Sequence, residues 1–223
     1  MLGILGYLGA GLICMLIVCF IRNKLYKMKC WIIILLMILL TIIGVLGTAI
    51  MFFVETGTWG GTSFFGSLFF IPIVYFAIAK IMSVPYGKMM DYCSAPICAM
   101  LVVMKVRCIT TGCCSGKLIM LTVDGEFYFP SQIVEAIVML IILFALMFME
   151  RLGNYENKIY SLLLILYGST RFILNFFRAD LSPFVWKLPP GHFWSLIAIA
   201  LGIISIIVIN KRDFSPKEHI NLD

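Results

Sequence analysis

Seven apolar runs of about 20 residues, the length an α-helix needs to cross hydrocarbon, begin near Leu2, Trp31, Phe64, Tyr92, Gln132, Tyr160 and His192. Inside a bilayer no water satisfies backbone N–H and C=O groups, so such runs are stable as helices that make all their hydrogen bonds internally. Composition agrees: 62% of the residues are hydrophobic and mean hydropathy is +1.07, against roughly 45–50% apolar content in soluble domains. The chain reads as an all-α integral membrane protein with seven transmembrane helices. Spans and connections use nearly all of its 223 residues. This implies one seven-helix domain over residues 1–210 and a short cytoplasmic tail over 211–223, with no separate soluble domain.

Charge placement orients the helices. The cations around the end of the first run, Arg22, Lys24, Lys27 and Lys29, follow the apolar stretch instead of preceding it, which reads as an anchor with its N-terminus outside and not as a cleavable leader. The connections 22–30, 80–91, 150–158 and 211–223 then lie inside and carry eleven of the seventeen Lys and Arg residues. The outer connections carry Lys117, Arg178 and Lys187, as the positive-inside rule requires. The net charge of +6 thus reports topology and contact with anionic lipid, and gives no argument for nucleic acid.

Between the fourth and fifth runs, Asp124–Gly125 separates two stretches rich in strand formers, predicting a small outer-face β-hairpin within about 111–131. "FVETGTWGGTSFFGS" suits a loop folding back towards the bilayer, and "SPFVWKLPPGH" an interfacial loop. The tail is polar and expected to be disordered. Eight scattered cysteines lack metal-ligand spacing, so no metal site is implied. Most read as small apolar helix residues. Cys113 and Cys114 fall in the outer loop, where oxidation is conceivable. "GCCSGKL" imitates a phosphate-binding loop but is one residue short and lacks the Ser or Thr after Lys117.

The charges inside the spans demand an explanation, because an ionised side chain in a membrane is costly unless it is met. Arg171 and Arg178 are seven residues apart, almost two turns, so they share a helical face with Asn175, and Tyr167 lies one turn before Arg171. Lys105 and Arg107 stand at the outer end of the fourth run. Four cations therefore approach the outer boundary on two helices. Pairing with Glu135, one turn into the fifth run, is the structural explanation. A polar cavity that grips a phosphate-bearing lipid headgroup is the functional one, since guanidinium forks match phosphate oxygens. His192, at the outer start of the last run, is the histidine able to reach such a cavity.

The blocks "FFGSLFF" at 64–70, "KVRCITTGCCSG" at 105–116, "FPSQIVEA" at 129–136, "YGSTRFILNFFRAD" at 167–180 and "GHFWSLIAIALGI" at 191–203 resemble, in order and spacing, the bacterial prolipoprotein diacylglyceryl transferase family. The resemblance implies a seven-helix enzyme of the bacterial inner membrane, without a cofactor. Its site would lie near the outer leaflet, where it moves the diacylglyceryl group of phosphatidylglycerol onto the lipobox cysteine thiol of a preprolipoprotein. On this reading Arg171, Lys105, Tyr167 and His192 are catalytic. Arg178, Arg107, Thr111, Gly112, Gln132, Glu135, Asn175 and Gly66 bind the phospholipid headgroup. Arg171 and Tyr167 keep the family's Y-G-x-x-R-F pattern, Arg178 keeps the arginine of its F-F-R element, and Gly112 and Gly116 keep its glycines.

Several positions depart from the family pattern. Lys105 replaces an arginine, Arg107 a glycine, Thr111 an asparagine, Asn175 a glutamate and His192 a glutamine. The family's His-Gly-Gly-Leu element reads Phe65-Gly66-Ser67-Leu68. Three readings stay open: a divergent diacylglyceryl transferase with Arg107 or His192 compensating, a transferase using the same phospholipid with another acceptor, and a non-catalytic phospholipid-binding protein of the same fold.

Overall fold

A computed structural model describes residues 3–26, 28–113, 116–122, 125–178, 184 and 188–214. The elements run α1 (Ile4–Tyr26), α2 (Cys30–Thr56), α3 (Phe64–Ile81), α4 (Tyr86–Thr111), β1 (Leu118–Thr122), β2 (Gly125–Tyr128), α5 (Ser131–Arg151), α6 (Ile159–Asn175) and α7 (Pro190–Phe214). Six of the helices are long and apolar enough to cross a membrane. The remaining one, α6, is apolar but has 17 residues, about 25 Å of helix.

The chain is turned inside out relative to a soluble protein. Large side chains such as Ile17, Ile73, Ile141, Phe144 and Ile204 face outward, while Arg22, Asp91, Glu135, Asn175, Arg178 and His192 are buried. Apolar contact alone gives helices little reason to associate in lipid, so close backbone approach and internal polar contacts do that work. A Cβ on Gly66 would sit 1.9 Å from the Gly47 carbonyl oxygen, so α2 and α3 touch backbone to backbone there. A Cβ on Gly202 would meet the Ser161 carbonyl oxygen at 2.7 Å, which gives α6 and α7 the same kind of seam.

Side-chain contacts fix which helix ends lie together. Tyr7 bonds Thr110 at 2.9 Å, joining the start of α1 to the end of α4. Arg22 Nε donates to Glu150 Oε2 at 2.6 Å, joining the end of α1 to the end of α5. One end of the bundle therefore carries β1 and β2, with the end of α4 and the start of α5. The opposite end carries the α1–α2 and α5–α6 connections.

Two differences from the expected elements have local causes. The fourth helix begins at Tyr86, six residues ahead of Tyr92. Its first turns tolerate Asp91 because the carboxylate accepts the Tyr160 N–H at 3.3 Å, satisfying an otherwise orphaned donor at the start of α6. The last helix continues through Lys211 to Phe214, past the expected start of the tail. β1 and β2 pair antiparallel, with Thr122 opposite Gly125 and Leu118 opposite Tyr128. Asp124, on which the hairpin expectation turns, lies outside the described residues, as do Cys114, most of the 179–187 loop and the tail from 215. Between α2 and α3 the chain does turn back along α2: Ser63 N–H donates to Thr48 O at 3.0 Å and Trp59 stacks on Phe53.

Candidate anion site at the strand-bearing end

Glu135 sits one turn into α5, 4% exposed, and is met by cations from two other parts of the chain. Lys105 Nζ, near the end of α4, pairs with Oε2. Arg171 Nη1, near the end of α6, pairs with Oε1. Arg178, just beyond α6, brings Nη1 to 3.4 Å from Oε1. Three cations thus converge on one buried carboxylate among the described residues, and Glu55 lies close enough to act electrostatically on Arg171. The expected shared helical face of Arg171 and Arg178 is not what places the second cation: α6 ends at Asn175, and Arg178 is held by an antiparallel bridge to Gly116.

The walls of the cluster are Met139, Tyr167, Thr170 and Leu174, around a space of about 10 Å³, room for one water. Tyr167 is 5% exposed and packs edge-to-face on Phe64 and Phe65. The larger cavity, about 260 Å³, lies at the opposite end of the bundle and is lined by Arg22 and Glu150. Cavity volume and the convergence of cations therefore point to different ends. The cations are the better guide to an anion site, because ammonium and guanidinium groups can turn from Glu135 towards a ligand phosphate.

The other sequence-predicted residues divide. Gln132 Nε2 donates to Cys113 O at 2.7 Å and ties the start of α5 to the segment after α4. Gly112 has φ +67°, the left-handed conformation glycine adopts most easily, and closes α4 with its N–H on Ile109 O at 3.4 Å. Thr111 Oγ1 donates to the Arg107 carbonyl at 3.0 Å, so its hydroxyl is engaged within the helix end. Arg107 is two residues past Lys105, roughly 200° around α4, and forms no ion pair among the described residues. Gly66 is accounted for by its contact with Gly47.

Asn175 and His192 form a separate group between α6 and α7. Asn175 is 1% exposed, with Nδ2 unpartnered among the described residues. His192, 5% exposed, has both ring nitrogens unpartnered among the described residues and packs edge-to-face on Phe172 and Phe176. Phe172 and Phe176 lie on the side of α6 turned away from Tyr167, Thr170 and Leu174, so His192 is not drawn into the Glu135 cluster.

Sequence reasoning missed the second ionic cluster. Arg22, assigned to a connection, is inside α1 and 3% exposed, and it pairs with Glu150, which also accepts from Tyr26 Oη. The available signal was that Glu150 closes an apolar run with no acid-neutralising neighbour except Arg151.

The fold and the cluster together define a polytopic helical membrane protein with a buried, cation-rich site near one end of its bundle. The prolipoprotein diacylglyceryl transferase family model matches residues 2–208. The chain belongs to that family. It is similar to the phosphatidylglycerol–prolipoprotein diacylglyceryl transferase of Clostridium tetani, 30% identical over 110 residues, which are 44% of this chain and 44% of the relative. The enzyme of that name from Clostridium novyi is 33% identical over 93 residues, 42% of this chain and 36% of the relative. The one from Helicobacter acinonychis is 29% identical over 111 residues, 47% and 38% respectively. Each alignment spans less than half the length of the relative it matches.

Proposed function

We propose that the protein is a diacylglyceryl transferase that moves the diacylglyceryl group of phosphatidylglycerol onto the lipobox cysteine of a preprolipoprotein. It works at the outer leaflet of the bacterial inner membrane, with seven spans, the N-terminus outside and the C-terminus inside. The observation that carries this reading is the convergence of Lys105, Arg171 and Arg178 from separate parts of the chain on Glu135. Membership of the family and the charge bias of the connections support it.

In the reaction a sulfur–carbon bond forms on the glyceryl group as the carbon–oxygen bond to phosphate breaks, and glycerol phosphate leaves as an anion. Lys105, Arg171 and Arg178 hold the departing phosphate and lower the barrier by stabilising the charge that develops on it. Tyr167 shapes the wall beside them. In-line displacement sets the thiol on the far side of the carbon from phosphate, so the base need not touch the cation cluster. His192, buried with two open ring nitrogens, takes the thiol proton. The test supplies purified protein with phosphatidylglycerol and a lipobox peptide. Glycerol phosphate is released, and Arg171→Ala lowers the rate by about 10²–10³-fold, the effect of removing one donor to a developing anion. Absence of release from the wild-type chain sinks the reading.

A second reading has one observation in its favour. Phe65, standing where the family pattern has histidine, is 3% exposed and packed on Tyr167. This favours the same phospholipid used with a different acceptor. Headgroup binding that persists without peptide turnover, and that Arg171→Ala removes, selects it over the first.

A further inference from the structure

At the end of the bundle opposite Glu135, the last turns of α1 and α5 bound the cavity of about 260 Å³. Its floor is ionic but neutral. Arg22 gives Nε and Nη2 to Glu150, Nη1 to the Tyr92 carbonyl at 2.8 Å and Nη2 to the Asp91 carbonyl at 3.0 Å, so this pair is consumed. Two further cations line the cavity, Lys24 and Arg151, both exposed and neither in an ion pair among the described residues. The walls beside these charges are apolar: Ile21 is 54% exposed and Leu25 51%.

The apolar surface continues away from the charges. Ile17, Ile21 and Leu25 recur every fourth residue and share one stripe of α1, and Leu140 and Phe144 lie on the stripe of α5 that leads to Met147 and Arg151. Both helices pack chiefly on α4 instead of on each other, so these stripes stay exposed. Two cations without an ion pair among the described residues, beside exposed apolar stripes, match an amphiphile with an anionic head and long tails. The cavity is below the roughly 300 Å³ of sites that enclose drug-sized ligands, so it would hold the head alone.

We propose that this cavity binds the headgroup of an anionic phospholipid, with its acyl chains along the exposed apolar stripes of α1 and α5, as a resident lipid distinct from the transferase substrate. The two sites are far apart. Glu135 and Glu150 are fifteen residues apart on α5, about 22 Å, which sets the two headgroups in opposite leaflets of a bilayer the helices span. In the orientation proposed above this lipid sits in the inner leaflet, where anionic lipids attract basic segments.

The full-length protein is purified in detergent, and retained lipid is counted by native mass spectrometry after adding phosphatidylglycerol or phosphatidylcholine. Lys24→Gln/Arg151→Gln loses one phosphatidylglycerol, with at least tenfold weaker binding. Lys24→Arg/Arg151→Lys keeps it, and Arg171→Ala leaves this lipid in place, so the result does not depend on the reading of the Glu135 cluster. Unchanged phosphatidylglycerol binding in the glutamine double variant overturns the proposal. So does equal retention of phosphatidylcholine, or complete displacement by millimolar inorganic phosphate, which marks a simple anion site. Both positions are exposed, so the glutamine variant should fold, and circular dichroism checks this.

Discussion

Helix α5 carries a glutamate near each end, and the two are met differently. Glu150 takes Arg22 through two nitrogens, accepts from Tyr26, and leaves the arginine bonded to backbone carbonyls of α4. Glu135 is shared by three cations among the described residues. A charge matched one to one and saturated with hydrogen bonds holds helices in register, whereas an outnumbered carboxylate leaves room for a second anion. The contrast separates a structural ion pair from a binding site more surely than depth or burial, since both glutamates are buried to a similar degree.

The largest effect expected from breaking this comparison is at the matched end. Glu150→Ala leaves Arg22, 3% exposed, as an uncompensated buried charge, which costs about 3–5 kcal/mol. The protein should unfold at markedly lower denaturant or temperature, and Glu150→Gln should recover part of the loss through its amide oxygen. At the crowded end Arg171→Ala still leaves Glu135 two cations, so stability should change by less than about 1 kcal/mol while turnover collapses. Equal stability losses for Glu150→Ala and Arg171→Ala would erase the distinction.

How much of this was legible beforehand depends on the residue. The spans were readable because twenty apolar residues in a row have few alternatives. Convergence on Glu135 was half-readable: Glu135 was the acid at matching depth, but the helix carrying Arg171 ends before Arg178, and nothing local says that α4 delivers Lys105 there as well. Arg107 lies two residues past Lys105 and therefore about 200° around α4, which position along the run does not convey. Arg22 was misassigned for a related reason. A cation at the end of an apolar run looks like a loop charge until its partner 128 residues away is known. The early start of α4 likewise depends on Asp91 reaching α6, a contact outside any local window.

His192 offers a test of intermediate size, because it belongs to neither glutamate. Two unpartnered ring nitrogens in a buried place cost about 1–3 kcal/mol, so His192→Phe should keep or raise thermal stability. If the imidazole takes the thiol proton, the same change lowers turnover by about 10²-fold or more. It also removes the acidic limb of the pH–rate profile. Stability gained with turnover intact would instead make His192 a packing residue, and the proton acceptor would have to be sought elsewhere.

The smallest expected effect is a gain. Lys105 reaches Glu135 as a compact point charge on a flexible stem, whereas a guanidinium presents two parallel donors to a phosphate. Lys105→Arg should therefore tighten the hold on the departing phosphate more than it tightens the contact with Glu135, raising kcat/KM by up to about tenfold, roughly 1.4 kcal/mol of transition-state stabilisation. Lys105→Gln, which removes the charge, should lower it. The corresponding exchange at the matched end, Arg22→Lys, has the opposite sign. It withdraws donors that Glu150 and the Asp91 and Tyr92 carbonyls already use, and can only weaken the protein. If Lys105→Arg lowers activity as Arg22→Lys lowers stability, then Lys105 is as tightly fitted to its carboxylate as Arg22 is, and the Glu135 cluster is a second structural lock.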